Sequence, residues 1–137
     1  MSEGQPFRFP VRVYYEDTDA AGVVYYANYL KFMERARTEW LASLGFPIAA
    51  FVRDHGVVFV VRRCEIDFAA PARLNDDLEV TVEVLDRGAS RIKARQEVRR
   101  GATLLTAARV TLACLDAARW RPVRMPARLA QQLENNA

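Results

Sequence analysis

The chain has 137 residues, 51% of them hydrophobic and 27% charged, proportions of a globular domain of a length that builds one core rather than two. Lys and Arg number 20 against 17 Asp and Glu, and a net charge of +3 is too small to argue for a nucleic-acid protein, although it suits a small anionic ligand. Cys64 and Cys114 stand far apart in apolar patterns, without a CxxC or His-rich spacing, so they read as buried free thiols and no metal is implied. The first residues lack the apolar core and cleavage site of a leader, and no stretch approaches the ~20 apolar residues of a membrane span. A cytoplasmic protein is therefore expected, with one domain over residues 1–137, an ordered core from about 6 to 133, and disordered ends at 1–5 and 134–137.

In chain order, Phe7, Phe9, Val11, Val13 and Tyr15 alternate with polar residues, the period of a half-buried strand, and Pro10 puts that strand near an edge. An acidic loop with Asp17, Asp19 and Gly22 follows. From 26 to 44 the apolar positions Tyr29, Leu30, Met33, Ala36, Trp40, Leu41 and Leu44 recur at helical spacing, with Phe32 on the shoulder. Gly45 is placed for the C-cap and Pro47 blocks continuation, giving a helix on the order of 25 to 30 Å long. A short helix over 48–53 precedes strands at 57–69, 78–85, 91–99 and 103–115, and a last short helix is expected over 127–133. The turn-like pairs Asn75-Asp76, Arg87-Gly88 and Arg100-Gly101 predict antiparallel hairpins, since a parallel crossover needs a dozen or more residues.

In the third and fourth strands Leu78, Val80, Val82, Val84, Ile92, Ala94, Gln96 and Val98 lie on one face, and the other carries Glu79, Glu83, Arg91, Lys93, Arg95, Glu97 and Arg99. The long helix is the one element able to cover the apolar face. The fold class is α+β: a five-stranded antiparallel sheet wrapped around one long central helix, the hotdog fold.

The stretch VYYEDTDAAGVVYYANY at 13–29, followed by ERARTE at 34–39, FVVR at 59–62 and APARL at 70–74, resembles the hotdog acyl-CoA thioesterases of the Tol-Pal-associated YbgC type. It is more distantly similar to 4-hydroxybenzoyl-CoA thioesterase. The resemblance implies hydrolysis of an acyl-CoA or acyl carrier protein thioester, with Asp19 as nucleophile or general base and the backbone amide of Tyr26 as oxyanion donor. Unpaired amides and the dipole at a helix start favour such an anion. It further implies substrate contacts by Gly22, Val23, Tyr25, Asn28 and Val60, and by Arg87, Ser90 and Arg91 in a hairpin near the phosphates of coenzyme A. Coenzyme A belongs to the substrate, so no separate cofactor is implied. A homodimer or homotetramer, Tol-Pal or membrane-associated partners, and a position peripheral to the inner membrane are implied by the same likeness. In many YbgC-type relatives a histidine stands where this chain has Tyr26.

Other readings of the same residues bound that expectation. Asp17 reads as a turn or cap residue. Asp17, Asp19 and Gly22 match three positions of a calcium loop, but Ala21 and Asn28 occupy positions that need ligands. Arg37 projects from the apolar helix stripe and calls for a partner or an opening to solvent, an ion pair being the expected outcome. His55, the single histidine, lies outside the motif and reads as structural or exposed. A non-catalytic hotdog scaffold is the alternative function, one with no need of Asp19. Single-stranded nucleic-acid binding is disfavoured, because 91–99 interleaves no aromatic residue with its cations.

Overall fold

The computed structural model describes residues 5–135. Its elements are β1 (Phe7–Arg12), α1 (Asn28–Ser43), α2 (Ile48–His55), β2 (Val57–Phe68), β3 (Asp77–Arg87), β4 (Arg91–Arg100), β5 (Thr103–Asp116) and α3 (Ala127–Asn135). All strands join one antiparallel sheet in the order β1-β3-β4-β5-β2, with α1 against its inner face. The expected hotdog architecture is thus present, and among the described residues no helix is long and apolar enough to cross a membrane.

Period two decides the inner face. Leu78, Val80 and Val82 of β3 and Ile92, Ala94 and Val98 of β4 are buried there against Tyr29, Phe32, Met33, Ala36, Trp40 and Leu41 of α1. Gly45 terminates α1 in the left-handed region at φ 92°, as its C-cap position predicts. Both cysteines are free; burial pushes the Cys114 thiol up to about 11.

Five expectations need correction. Asn75-Asp76 joins no hairpin: β2 and β3 lie at different places in the sheet, β2 pairing with β5 and β3 with β1. The connection at 69–76 crosses from one side of the sheet to the other, and Asp76 instead ties to Val13, whose amide donates to the Asp76 carbonyl at 2.9 Å. The alternation of the first strand does not extend to Tyr15, which is 82% exposed in a 3-10 turn, Tyr15–Asp17. Leu30 faces outward, whereas Phe32 is fully buried, because a sheet on one side and a loop on the other rotate the buried stripe toward Phe32. Arg37 meets no carboxylate within ion-pair distance among the described residues; its NH1 donates to Oε1 of the buried Gln96 at 2.9 Å. At the C-terminus α3 continues through 134, and the Glu134 carboxylate pairs with Arg87. Residues 1–4 and 136–137, part of the ends expected to be disordered, lie outside the described residues.

The sheet has two distinct ends. At one lie the C-terminus of β1, the start of β3, the end of β4 and the end of β2, with the start of α1 above them. At the other lie the β3–β4 hairpin and the start of β2.

Candidate active site

The loop between β1 and α1 is held almost entirely by its own polar groups. Asp17 is buried; its Oδ2 accepts from the Tyr14 amide at 2.8 Å, and its carbonyl accepts from the Tyr25 amide at 3.0 Å and from Nδ2 of Asn28 at 2.9 Å. This carboxylate is the clasp of the loop, as the cap reading of Asp17 anticipates. Asn28, expected to touch substrate, commits its carboxamide to that clasp. A bridge between Thr18 and Val24 closes the tip, where Gly22 takes φ 81° and its amide donates to the Asp19 carbonyl at 3.0 Å.

Asp19 stands apart from this economy of bonds. It is exposed, its Oδ1 accepts from the Ala21 amide at 2.8 Å, and its Oδ2 has no partner among the described residues. Two backbone donors are similarly open. α1 begins at Asn28 rather than at 26, and the amides of Asn28, Tyr29 and Leu30 bond to the carbonyls of Tyr25, Tyr26 and Ala27. The amides of Tyr26 and Ala27 themselves have no partner among the described residues. They sit where the first-turn donors of a helix gather positive potential, the chemistry that stabilises an oxyanion.

Beside these donors an open cleft of about 270 Å³ is lined by Val24, Tyr26, Tyr29, Phe68 and 69–71. The Tyr29 and Phe68 rings lie 5.6 Å apart and the Tyr26 ring meets Phe68 edge-on at 6.2 Å, an aromatic wall. The Ala72 backbone locks this wall to the loop: its amide donates to Tyr29 Oη at 3.0 Å and its carbonyl accepts from the Val24 amide at 2.9 Å. Phe68 and 69–71 are the lining residues that motif reading does not assign. The run FAAPA at a strand end, whose last three residues open the quoted APARL likeness, is the signal that points to them.

The remaining site residues divide by sheet end. Gly22, Val23 and Tyr25 stay with Asp19, Val23 bridging to Arg73 and the Tyr25 ring lying 5.0 Å from that of Tyr26. Val60, Arg87, Ser90 and Arg91 are at the opposite end. Val60 is eight positions from Phe68 on β2, roughly 25 Å along the strand, and shares a row with Arg91 through Ala113. Arg87 is engaged by Glu134, and the Ser90 carbonyl accepts from the Cys114 amide. Arg91 opens into a groove of about 770 Å³ on the outer sheet face that also holds Arg62, Lys93 and Arg109. None of these four cations has an ion pair among the described residues. His55 packs its ring on Phe46 and Phe51 at 5.6 and 5.9 Å, a structural place.

The comparisons with known proteins give the family and the fold. The sequence model of the Thioesterase-like superfamily matches residues 13–133. The chain is 45% identical over 120 residues to the acyl-CoA thioesterase YbgC of Haemophilus influenzae, covering 88% of each. It is 46% identical over 121 residues to the acyl-CoA thioester hydrolase YbgC of Escherichia coli, covering 88% of this chain and 90% of the relative. The crystal structure of a probable thioesterase from Bartonella henselae superposes with a TM-score of 0.84 at 34% identity, over 89% of this chain and all of that one. That of a 1,4-dihydroxy-2-naphthoyl-CoA thioesterase from Synechocystis gives a TM-score of 0.86 at 25% identity, over 96% and 97% of the two chains. With the family's sequence pattern running from the end of β1 to α3, the chain belongs to the thioesterase-like superfamily.

Proposed function

We propose that this protein hydrolyses acyl-CoA thioesters, with Asp19 as the reacting carboxylate and the Tyr26 amide, seconded by that of Ala27, as oxyanion donor. The observation that carries the reading is the contrast within the loop: Asp17 is fully engaged in holding structure, while Asp19 leaves an oxygen unbonded, and the same loop leads into two amides, of Tyr26 and Ala27, without a partner among the described residues. The curated relatives' names supply the substrate class. The thioester carbonyl oxygen receives the amide hydrogen bonds as it gains charge. Asp19 either takes a proton from the attacking water or attacks the carbonyl carbon itself, forming an anhydride that water then opens. In both routes the C–S bond breaks, the thiolate leaves and is protonated, and the free acid remains. Losing one oxyanion donor typically raises such a barrier by about 2.7 to 4 kcal/mol.

Coenzyme A is held, on this reading, by cations of a second copy. Within one chain the groove around Arg91 is at the far end of the sheet from Asp19. β2 has one free edge, with Val61 and Phe68 exposed along it. Two-fold pairing along that edge reverses direction, so it sets the far end of one sheet beside the near end of the other. Arg91, Lys93 and Arg109 of one copy then face the phosphates of a substrate whose acyl group is at Asp19 of the other.

The test is free-thiol release from short, long and aromatic acyl-CoAs by wild type, Asp19→Asn and Asp17→Asn. Activity in the wild type and its near-abolition in Asp19→Asn is expected. Equal rates for wild type and Asp19→Asn would remove Asp19 from the mechanism. A protein inactive on every thioester would instead favour the scaffold alternative.

A further inference from the structure

Arg37 is the one charged side chain that α1 sends to the inner face of the sheet, and its surroundings are chemically incomplete. It donates once, to Gln96 Oε1 at 2.9 Å. Gln96 is fully buried and its Nε2 donates to the carbonyls of Met33 at 3.0 Å and Thr81 at 3.3 Å. The carboxamide is therefore fixed with its acceptor toward Arg37. A guanidinium has five N–H donors, and here a single neutral acceptor pins it. Its other charged neighbourhood is Glu34, one turn earlier on the same helix and outside ion-pair distance, and the Cys64 thiol. The side chain is half-buried, and that burial lowers the Arg37 pKa against both.

A second polar group on the same face also lacks a partner. Thr106 is fully buried and its Oγ1 has no hydrogen bond among the described residues. The registers place it in the row Val98–Thr106–Phe68, one inner-face row nearer the catalytic cleft than the row Gln96–Ala108–Ile66 that carries Arg37's acceptor. An orphan hydroxyl and then an under-coordinated guanidinium follow one another inward from the aromatic wall at Phe68.

We propose that Arg37 reads the distal end of the acyl group, and that the preferred substrates are thioesters of ω-carboxyacyl groups. The inference rests on the thioesterase reading and narrows it. Arg37 lies eleven positions beyond Tyr26 along the chain, a rise of roughly 16 Å, and an arginine on a helix leans back toward the N-terminus, leaving roughly 10 Å between the thioester carbonyl and the guanidinium. That is the reach of a medium-length diacid. A carboxylate there gives Arg37 charge-assisted bonds in place of missing ones, whereas a methyl end leaves the cation as it is.

The experiment compares kcat/KM for glutaryl-, adipoyl-, suberoyl- and sebacoyl-CoA with that for the monoacyl-CoAs of equal carbon number, in wild type, Arg37→Gln and Arg37→Lys. The expected wild-type ratio of diacyl to monoacyl is at least about tenfold at the best length, with an optimum in mid-series. Arg37→Gln collapses that ratio toward one and Arg37→Lys restores part of it. A wild-type ratio at or below one at every length, with monoacyl-CoAs cleaved, overturns the proposal and leaves the thioesterase reading standing. A ratio that survives in Arg37→Gln overturns it as well. The wild-type series decides even if Arg37→Gln does not fold. If no thioester of either series is cleaved, the thioesterase reading has failed and this proposal falls with it.

Discussion

The two ends of the sheet handle charge in opposite ways. At the end that carries α1's start, ionic groups are engaged in structure: Arg100 pairs with Asp76 at 2.8 Å and Asp17 clasps its loop, so that Asp19 stands out as the carboxylate with an oxygen to offer. At the hairpin end Arg87 pairs with Glu134, but the groove that starts there and runs to mid-sheet holds, beside the Arg63–Glu65 pair, four cations, Arg62, Arg91, Lys93 and Arg109, with no ion pair among the described residues. On the proposed reading, a reacting acid at one end and unpaired cations toward the other are halves of two sites rather than one whole site. On that reading the working unit is two chains, each lending the other what its own geometry puts out of reach.

The largest test of that contrast is at the near end. Asp19→Asn is expected to lower kcat/KM by about a thousandfold while the melting temperature stays within about 2 °C, because the change removes a reacting oxygen and keeps the Oδ1 acceptor for the Ala21 amide. A matching fall in stability would recast Asp19 as a second clasp. At the far end, Arg91→Glu with Lys93→Glu is expected to raise KM for an acyl-CoA by roughly thirtyfold and to leave the S-acylpantetheine thioester, which lacks the nucleotide phosphates, unaffected. Equal loss on both thioesters would break the assignment of that groove to phosphate. Mixing the two variants sharpens the comparison further. If each site draws on both chains, equal parts recover about a quarter of wild-type turnover at low substrate, since half the dimers are mixed and each holds one intact site.

Much of this was legible in the residues. The period-two faces of β3 and β4, the stripe of α1 and its Gly45 stop follow from local pattern because burial on one side enforces it. Sheet order did not follow: Asn75-Asp76 carries the composition of a hairpin turn, yet the chain there crosses to the other side of the sheet, a choice made by which strands enclose α1 and not by turn chemistry. Within the site, the motif separates Asp17 from Asp19 only by resemblance, whereas bond partners separate them physically. Phe68 and 69–71 went unassigned because their role as a cleft wall depends on meeting Tyr26 and Tyr29, some forty positions earlier. Arg37 was expected to find a carboxylate; Gln96, apolar in its periodicity and polar in its chemistry, is visible as a partner only once β4 lies under α1.

The next effect is one of stability. Asp17→Ala removes the acceptor of the Tyr14 amide from a buried position and is expected to destabilise the fold by about 2 kcal/mol, measured by urea denaturation at neutral pH. Activity falls with it as the loop carrying Asp19 loosens, and saturating substrate recovers part of the loss. Stability unchanged by Asp17→Ala would mean that the Asn28 and Tyr25 bonds to the Asp17 carbonyl hold the loop alone.

The smallest expected effect sharpens the statement that near-end charges are structural. For Asp76, burial opposes ionisation, but the Arg73 amide at 2.8 Å and the Arg100 guanidinium at 2.8 Å outweigh it and hold the carboxyl below its ordinary value of 3.8. A carboxyl whose pKa is lower folded than unfolded stabilises the fold above the unfolded value, and that contribution is lost as pH falls through the folded one. Wild type should therefore exceed Asp76→Asn in stability by about 1 kcal/mol at pH 7, with the gap closing below about pH 4 and narrowing in high salt. Lys93→Gln, which removes a cation with no ion pair among the described residues, should lie within about 0.5 kcal/mol of wild type across the same range. Denaturation midpoints of the three proteins at pH 7 and pH 3 decide it. A Lys93→Gln penalty as large as that of Asp76→Asn would show that the groove cations are structural too, and the division of labour along the sheet would have to be abandoned.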